Sequence, residues 1–111
     1  MVVAREFDTM YVWGAQAGSA RRLGTPESTI EAVRDKHYKG IPAEDAQIID
    51  FTRELIRKHR VSAETMAALE KRLGKFQLVE LTGSIGYYSM LCMTANACEL
   101  ETAAGADVLP V

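Results

Sequence analysis

Cysteine is scarce in this 111-residue chain: Cys92 and Cys98 are the only two. Six residues apart on a helix, at about 1.5 Å of rise per residue, they point in different directions and sit about 9 Å apart along the axis. A disulfide needs Cα atoms within about 7 Å. The pair therefore cannot bridge within one helix, and there is no C-x-x-C to act as a redox couple. No export signal is expected either. The start, MVVAREFDTM, brings Arg5, Glu6 and Asp8 before any apolar region of useful length, and no small-residue cleavage site follows. A cytoplasmic location is the expectation, since a chain poor in cysteine fits a reducing compartment.

An excess of charge of one sign is absent too. Thirteen Lys and Arg stand against fifteen Asp and Glu, for a net charge of -2, so there is no basic footprint for nucleic acid. The densest basic run, Arg57-Lys58-His59-Arg60, falls at the end of a predicted helix, where it complements the helix dipole. Histidine is limited to His37 and His59, no constellation has metal-ligand spacing, and no glycine cluster forms a phosphate loop. Neither a metal nor a cofactor is implied. The longest uncharged stretch, LTGSIGYYSMLCMTANAC, runs from Leu81 to Cys98. About half of it is small or polar, whereas a membrane span needs about 20 predominantly apolar residues. No membrane is expected as a partner.

What remains is helical. The spacing predicts a first helix over Ala4 to Arg22, with Phe7, Met10, Tyr11 and Ala17 on one face and Leu23-Gly24 ending it. Thr25-Pro26-Glu27 opens a second that carries Ile30, Val33 and Tyr38 and stops before Gly40-Ile41-Pro42. A third covers Ala43 to Arg60, with Ile48, Thr52, Leu55 and His59 along one stripe. Ser62 caps a fourth, bearing Met66, Leu69 and Leu73, which Gly74 closes; the last runs from Phe76 to Glu101. No convincing strand is visible. Residues 1–101 form one all-α domain of about five helices, and residues 102–111 a loose tail of turn-forming composition.

The uncharged stretch reads as a helix buried on most sides. Gly83 and Gly86, with Ser84 and Ser89, let neighbouring backbones approach, while Tyr87, Met90, Leu91 and Met93 fill volume. Four other helices can hardly wrap such a segment in a chain of this size, so it is expected to serve as both core helix and subunit interface.

The ordered set His59-Arg60-Val61-Ser62, Arg72-Leu73-Gly74, Val79-Glu80-Leu81-Thr82, Ile85 to Leu91 (IGYYSML) and Asn96-Ala97 resembles one branch of the carboxymuconolactone decarboxylase family. Upstream the likeness extends through Arg5 to Asp8, Tyr11-x-Trp13 and the Thr25-Pro26 helix, so it covers most of the chain. That resemblance implies the compact orthogonal helix bundle of alkyl hydroperoxidase-type proteins, completed by homo-oligomerisation as a trimer or hexamer, with a dimer as the alternative. Members include lyases that decarboxylate a cyclic lactone acid in aromatic compound metabolism and peroxidase-type proteins with a C-x-x-C pair. They also carry helical sequence before the point that Met1 matches, so a covering helix is expected to be missing or supplied by another subunit.

In that branch the early tyrosine is usually followed by Glu-Trp-x-x-His, an acid and an imidazole one turn apart that can share a proton. Here Val12 stands where the glutamate would be and Gln16 where the histidine would be. Valine cannot move a proton, and a glutamine amide has no useful pKa. The resemblance thus implies a divergent, non-catalytic protein that retains an aromatic-lined pocket for a small aromatic or lactone acid, built from Tyr11, Trp13, Gln16, Tyr87 and His59. The first alternative is an active lyase on a γ-carboxymuconolactone-like ring acid, with Gln16 and Tyr11 orienting the substrate. The second is a peroxidase-type antioxidant protein relying on Cys92 or Cys98. No catalytic residue is assigned.

Overall fold

The computed structural model describes residues 1–111 as five helices and no strand: α1 (Val2–Glu6), α2 (Met10–Arg22), α3 (Glu27–Asp35), α4 (Ala43–Lys58) and α5 (Ala63–Ala97). The protein is all-α. Short α1 is the hub and touches each of the other four helices. α2 and α4 make no close backbone contact with each other and are joined through α1 and α5. Trp13, Ile30, Val33, Leu69 and Cys92 are the largest fully buried apolar side chains of the core where these helices converge.

The expected first helix is in fact two. Asp8 takes a left-handed conformation, φ 50. Thr9 N–H then donates to Ala4 O at 2.9 Å and Asp8 N–H to Arg5 O at 3.2 Å, closing α1 in a Schellman motif. Asparagine and glycine are the usual residues at such a position. Here the Arg5 guanidinium holds the Asp8 carboxylate, and Asn96 Nδ2 donates to the Phe7 carbonyl at 2.9 Å, satisfying an acceptor freed by the break. The interruption rephases the helix that follows. Val12, Trp13, Gly14 and Ala17 now face inward, while Tyr11 of the expected face is 46% exposed.

The other ends follow local chemistry more closely. Gly24 (φ 86) terminates α2 with the same motif, Thr25 N–H to Ala20 O and Gly24 N–H to Arg21 O. The second helix stops at Asp35, five residues short of Gly40, because Lys36 turns left-handed at φ 55. α4 ends two residues early at Lys58, with His59 left-handed at φ 64 and so displaced from the stripe of Ile48, Thr52 and Leu55. Ser62 Oγ accepts from Thr65 N–H at 3.2 Å and caps α5, while Glu54 accepts from both Ser62 N–H and Thr65 Oγ1, tying α4 to that cap. Gly74 (φ 79, ψ 165) breaks α5 into two arms, residues 63–73 and 75–97, where the fourth and fifth helices were expected to separate.

Within one chain the final helix is buried on one face only: Leu78, Ile85, Cys92 and Ala95 are the buried members of residues 75–97. Four short elements cannot encircle it. The tail is not loose. Leu109 is 4% exposed, and Arg21 donates to both carboxylate oxygens of Asp107 at 2.8 and 2.7 Å. Gly14 admits this return, because a Cβ there would stand 3.0 Å from Ala106 Cβ and 3.3 Å from Asp107 O.

No helix is long and apolar enough to cross a membrane.

Candidate functional site

Because α2 and α4 do not meet, a gap opens between them, floored by α1 and walled by α5. It is a cleft of ≈ 200 Å³. Gln16 enters from α2, Ile48 and Thr52 from α4, and Leu81, Ser84, Ile85 and Tyr88 from α5, with Met1, Val2 and Val3 along the floor. Its lining is mostly apolar, with a few converging polar groups, the usual make-up of a small-molecule site.

Gln16 carries the chemistry. Its Oε1 is buried and has no hydrogen-bond partner. A buried amide oxygen left unpaired costs about 1–3 kcal/mol, and a ligand hydroxyl or N–H would recover that loss once the Gln16 side chain turns its oxygen into the cleft. Thr52 Oγ1 already donates to Ile48 O at 2.8 Å and has only lone pairs left to offer. Ser84 and Tyr88 complete the set of lining residues with a polar group. No carboxylate, imidazole or thiol lines the cleft. An adjoining hollow of ≈ 240 Å³ shares Val2 and Ile48 with it and contains Asp45 and the unpartnered Thr29 hydroxyl.

The side chains singled out from sequence do not gather around one cavity. Trp13 is 0% exposed and is core, its Nε1 without a partner. Tyr11 is half exposed on another face of α2. Neither lines the cleft, so the aromatic wall expected of Tyr11 and Trp13 is not formed: they are two residues, roughly 200° of helical rotation, apart. Tyr87 is turned outward and packs edge-on against Tyr88, ring centroids 5.4 Å apart. His59 sits exposed just past the end of α4 and is not in the cleft wall. Of the five, only Gln16 is in the cleft.

Sequence reading missed Thr52 and Ser84 as cleft residues and placed Tyr87 in the pocket instead of Tyr88. A signal existed for Ser84 and Tyr88. Leu81, Ser84, Ile85 and Tyr88 follow an i, i+3, i+4, i+7 spacing, which places them on one helix face.

Two further features bear on chemistry. Cys92 is fully buried, and burial pushes its thiol up, partly offset by Thr9; such a thiol is a poor nucleophile. Cys98 is exposed. No three His, Cys, Asp or Glu side chains gather as a metal ion would require. A larger hollow of ≈ 350 Å³ along α4 has no apolar residue in its wall, and Arg53 and Arg57 within it already bind Glu6.

Comparison with protein-family models, curated proteins and solved structures gives no match to this chain.

Proposed function

We propose that this chain is a divergent member of the carboxymuconolactone decarboxylase family, a small helical homo-oligomer that binds a ring compound in the Gln16 cleft without decarboxylating it. The observation that carries the reading is the composition of that cleft: an apolar slot with one orphaned amide oxygen and no carboxylate–imidazole pair. A general acid or base must lie within hydrogen-bond reach of the proton it moves. Gln16, Thr52 and Ser84 cannot titrate near neutral pH, while all three can orient a hydroxyl. The family resemblance supplies the class of occupant, a small aromatic or lactone acid, which would present a hydroxyl or N–H to Gln16. The bundle itself would be of the alkyl hydroperoxidase type. The deeply buried Cys92, with its raised pKa, counts against a peroxidase built on that residue.

Thermal shift against a panel of small aromatic and lactone acids tests the reading. A ligand present at about a hundred times its Kd adds about 2.7 kcal/mol, enough to raise Tm by several degrees. Gln16→Leu should abolish the shift while leaving the ligand-free Tm unchanged or higher, since it removes an unpaired buried oxygen. Turnover of γ-carboxymuconolactone that Gln16→Ala eliminates would make the protein a lyase instead. A panel without a single stabilising ring compound would remove the binding site.

A further inference from the structure

Among the acids of α4, Asp45 is the half-buried one whose charge goes unanswered. Glu44 lies 4.0 Å from Arg72, Glu54 accepts from Ser62 N–H and Thr65 Oγ1, and Asp50 is exposed to water. Asp45 makes no ion pair and no side-chain hydrogen bond. Its place in the first turn of α4 suits the helix dipole, but Glu44 beside it meets that need from a fully exposed position. Asp45 instead lines the hollow of ≈ 240 Å³ between the starts of α3 and α4, where Val2, Val33, Ile48 and Ile49 make an aliphatic wall.

Thr29 lines the same hollow from α3. It is 6% exposed, and its hydroxyl has no hydrogen-bond partner. A threonine inside a helix commonly returns its hydroxyl to a carbonyl one turn back, as Thr52 does to Ile48 O at 2.8 Å. Thr29 forgoes that bond, and a buried hydroxyl left unpaired is costly. Threonine has two χ1 rotamers open to it in a helix, so rotation alone can present the oxygen to the hollow. Thr25, just before α3, adds a second hydroxyl to the wall.

We propose that this hollow binds the ammonium group of a small primary aliphatic amine, with Asp45 as its counter-ion, the Thr29 and Thr25 hydroxyls as further acceptors, and the aliphatic wall around its carbon chain. An ammonium carries three N–H donors and no acceptor, which matches a carboxylate and two hydroxyls. An anion would meet Asp45 with no Lys or Arg in the wall to offset it. A neutral alcohol would leave the carboxylate unpaired. Metal ions want several carboxylate, imidazole or thiolate ligands, and Asp45 has no such companions. Charge-assisted hydrogen bonds are about twice as strong as neutral ones, and a partly buried pair is screened by salt less than a surface pair. The hollow shares Val2 and Ile48 with the Gln16 cleft, but the amine site does not depend on that cleft binding anything.

Amide-resolved NMR titration of the full chain near neutral pH with n-butylammonium, 1-butanol and butyrate tests this. Butylammonium should bind about 10-fold or more tighter than 1-butanol, and butyrate should not bind. The shifts should centre on residues 25–33 and 43–49, not on Ser84 and Tyr88 of the cleft. Asp45→Asn should weaken butylammonium by about 10-fold or more, whereas Glu31→Gln, at an exposed acid of α3, should leave it unchanged. Thr29→Val trades the unpaired hydroxyl for a methyl of similar shape; it should weaken binding by about 3-fold or more and leave Tm unchanged or higher. The comparison of the three compounds on the wild type involves no substitution, so it decides even if a variant fails to fold. Absence of saturable butylammonium binding, 1-butanol or butyrate binding as tightly, shifts centred elsewhere, affinity retained by Asp45→Asn or Thr29→Val, or affinity lost equally in Glu31→Gln would each overturn the proposal.

Discussion

Trp13 and Tyr11 lie two residues apart on α2 and have opposite fates. Trp13 is fully buried in the core, while Tyr11 is half exposed. Truncating a large buried aromatic to alanine costs about 3–5 kcal/mol through lost burial and the cavity left behind, and a half-exposed residue away from special features costs about 0.5 kcal/mol. Chemical denaturation of Trp13→Ala and Tyr11→Ala should reproduce that gap. Equal losses would mean that Tyr11 packs against something beyond this chain. The same scale explains why Gln16 stood out early. Its position within the Tyr-x-Trp resemblance drew notice, but its burial without a hydrogen-bond partner comes from α1, α4 and α5 closing around it. Tyr88 is the converse case. Its helical phase was visible, yet only packing could decide between Tyr87 and Tyr88.

At the level of elements, α1 is held by charge. Glu6 accepts from Arg53 at 3.1 Å and Arg57 at 2.6 Å, its side chain 3% exposed, and Arg53 also lies over the Tyr38 ring, 4.5 Å from its centre. Burial alone would raise the Glu6 pKa; the hydrogen bonds from Arg57 and Arg53 outweigh it and leave the carboxyl below its usual range. A depressed folded-state pKa means the stabilisation is complete above the unfolded value, about 4.3, and is lost as pH falls through the folded value. Tm should therefore drop on acidification below about pH 4.3, and Glu6→Gln should both lower stability near neutrality by about 1.5–3 kcal/mol and flatten that acid limb. A variant whose acid limb matches the wild type would show that other carboxylates govern it.

Helix starts were legible because their causes are local: Ser62 caps its own Thr65, and Pro42 precedes Glu44 and Asp45 in the first turn of α4. Gly24 and Gly74 marked real ends for the same reason. The break at Asp8 was not legible. It depends on Arg5 and on Asn96, the latter 89 residues beyond the Phe7 carbonyl it holds, and a non-glycine residue in the left-handed region leaves no signature in composition.

Over the whole molecule, only 21 of 111 residues are buried, and the radius of gyration is 14.0 Å with extents of 41 × 29 × 22 Å. A sphere-like domain of this length would measure about 13 Å, so the molecule is elongated. The tail strap helps close it. Gly14→Val should push residues 106 and 107 off α2, breaking the Arg21–Asp107 pair and uncovering Leu109. Limited proteolysis should then cut within residues 103–109, where the wild type resists; equal resistance would show that the strap holds without this close approach.

Sequence by itself determined that the chain is helical, where most helices begin, and that two of its glycines end them, because capping, proline geometry and left-handed glycine act within a few residues. Tertiary structure alone decided that the first helix breaks at Asp8, that Trp13 is core and not pocket, and that the tail returns to α2. Those outcomes depend on partners far away in the chain, and a periodic pattern states only that a face is apolar, never what covers it.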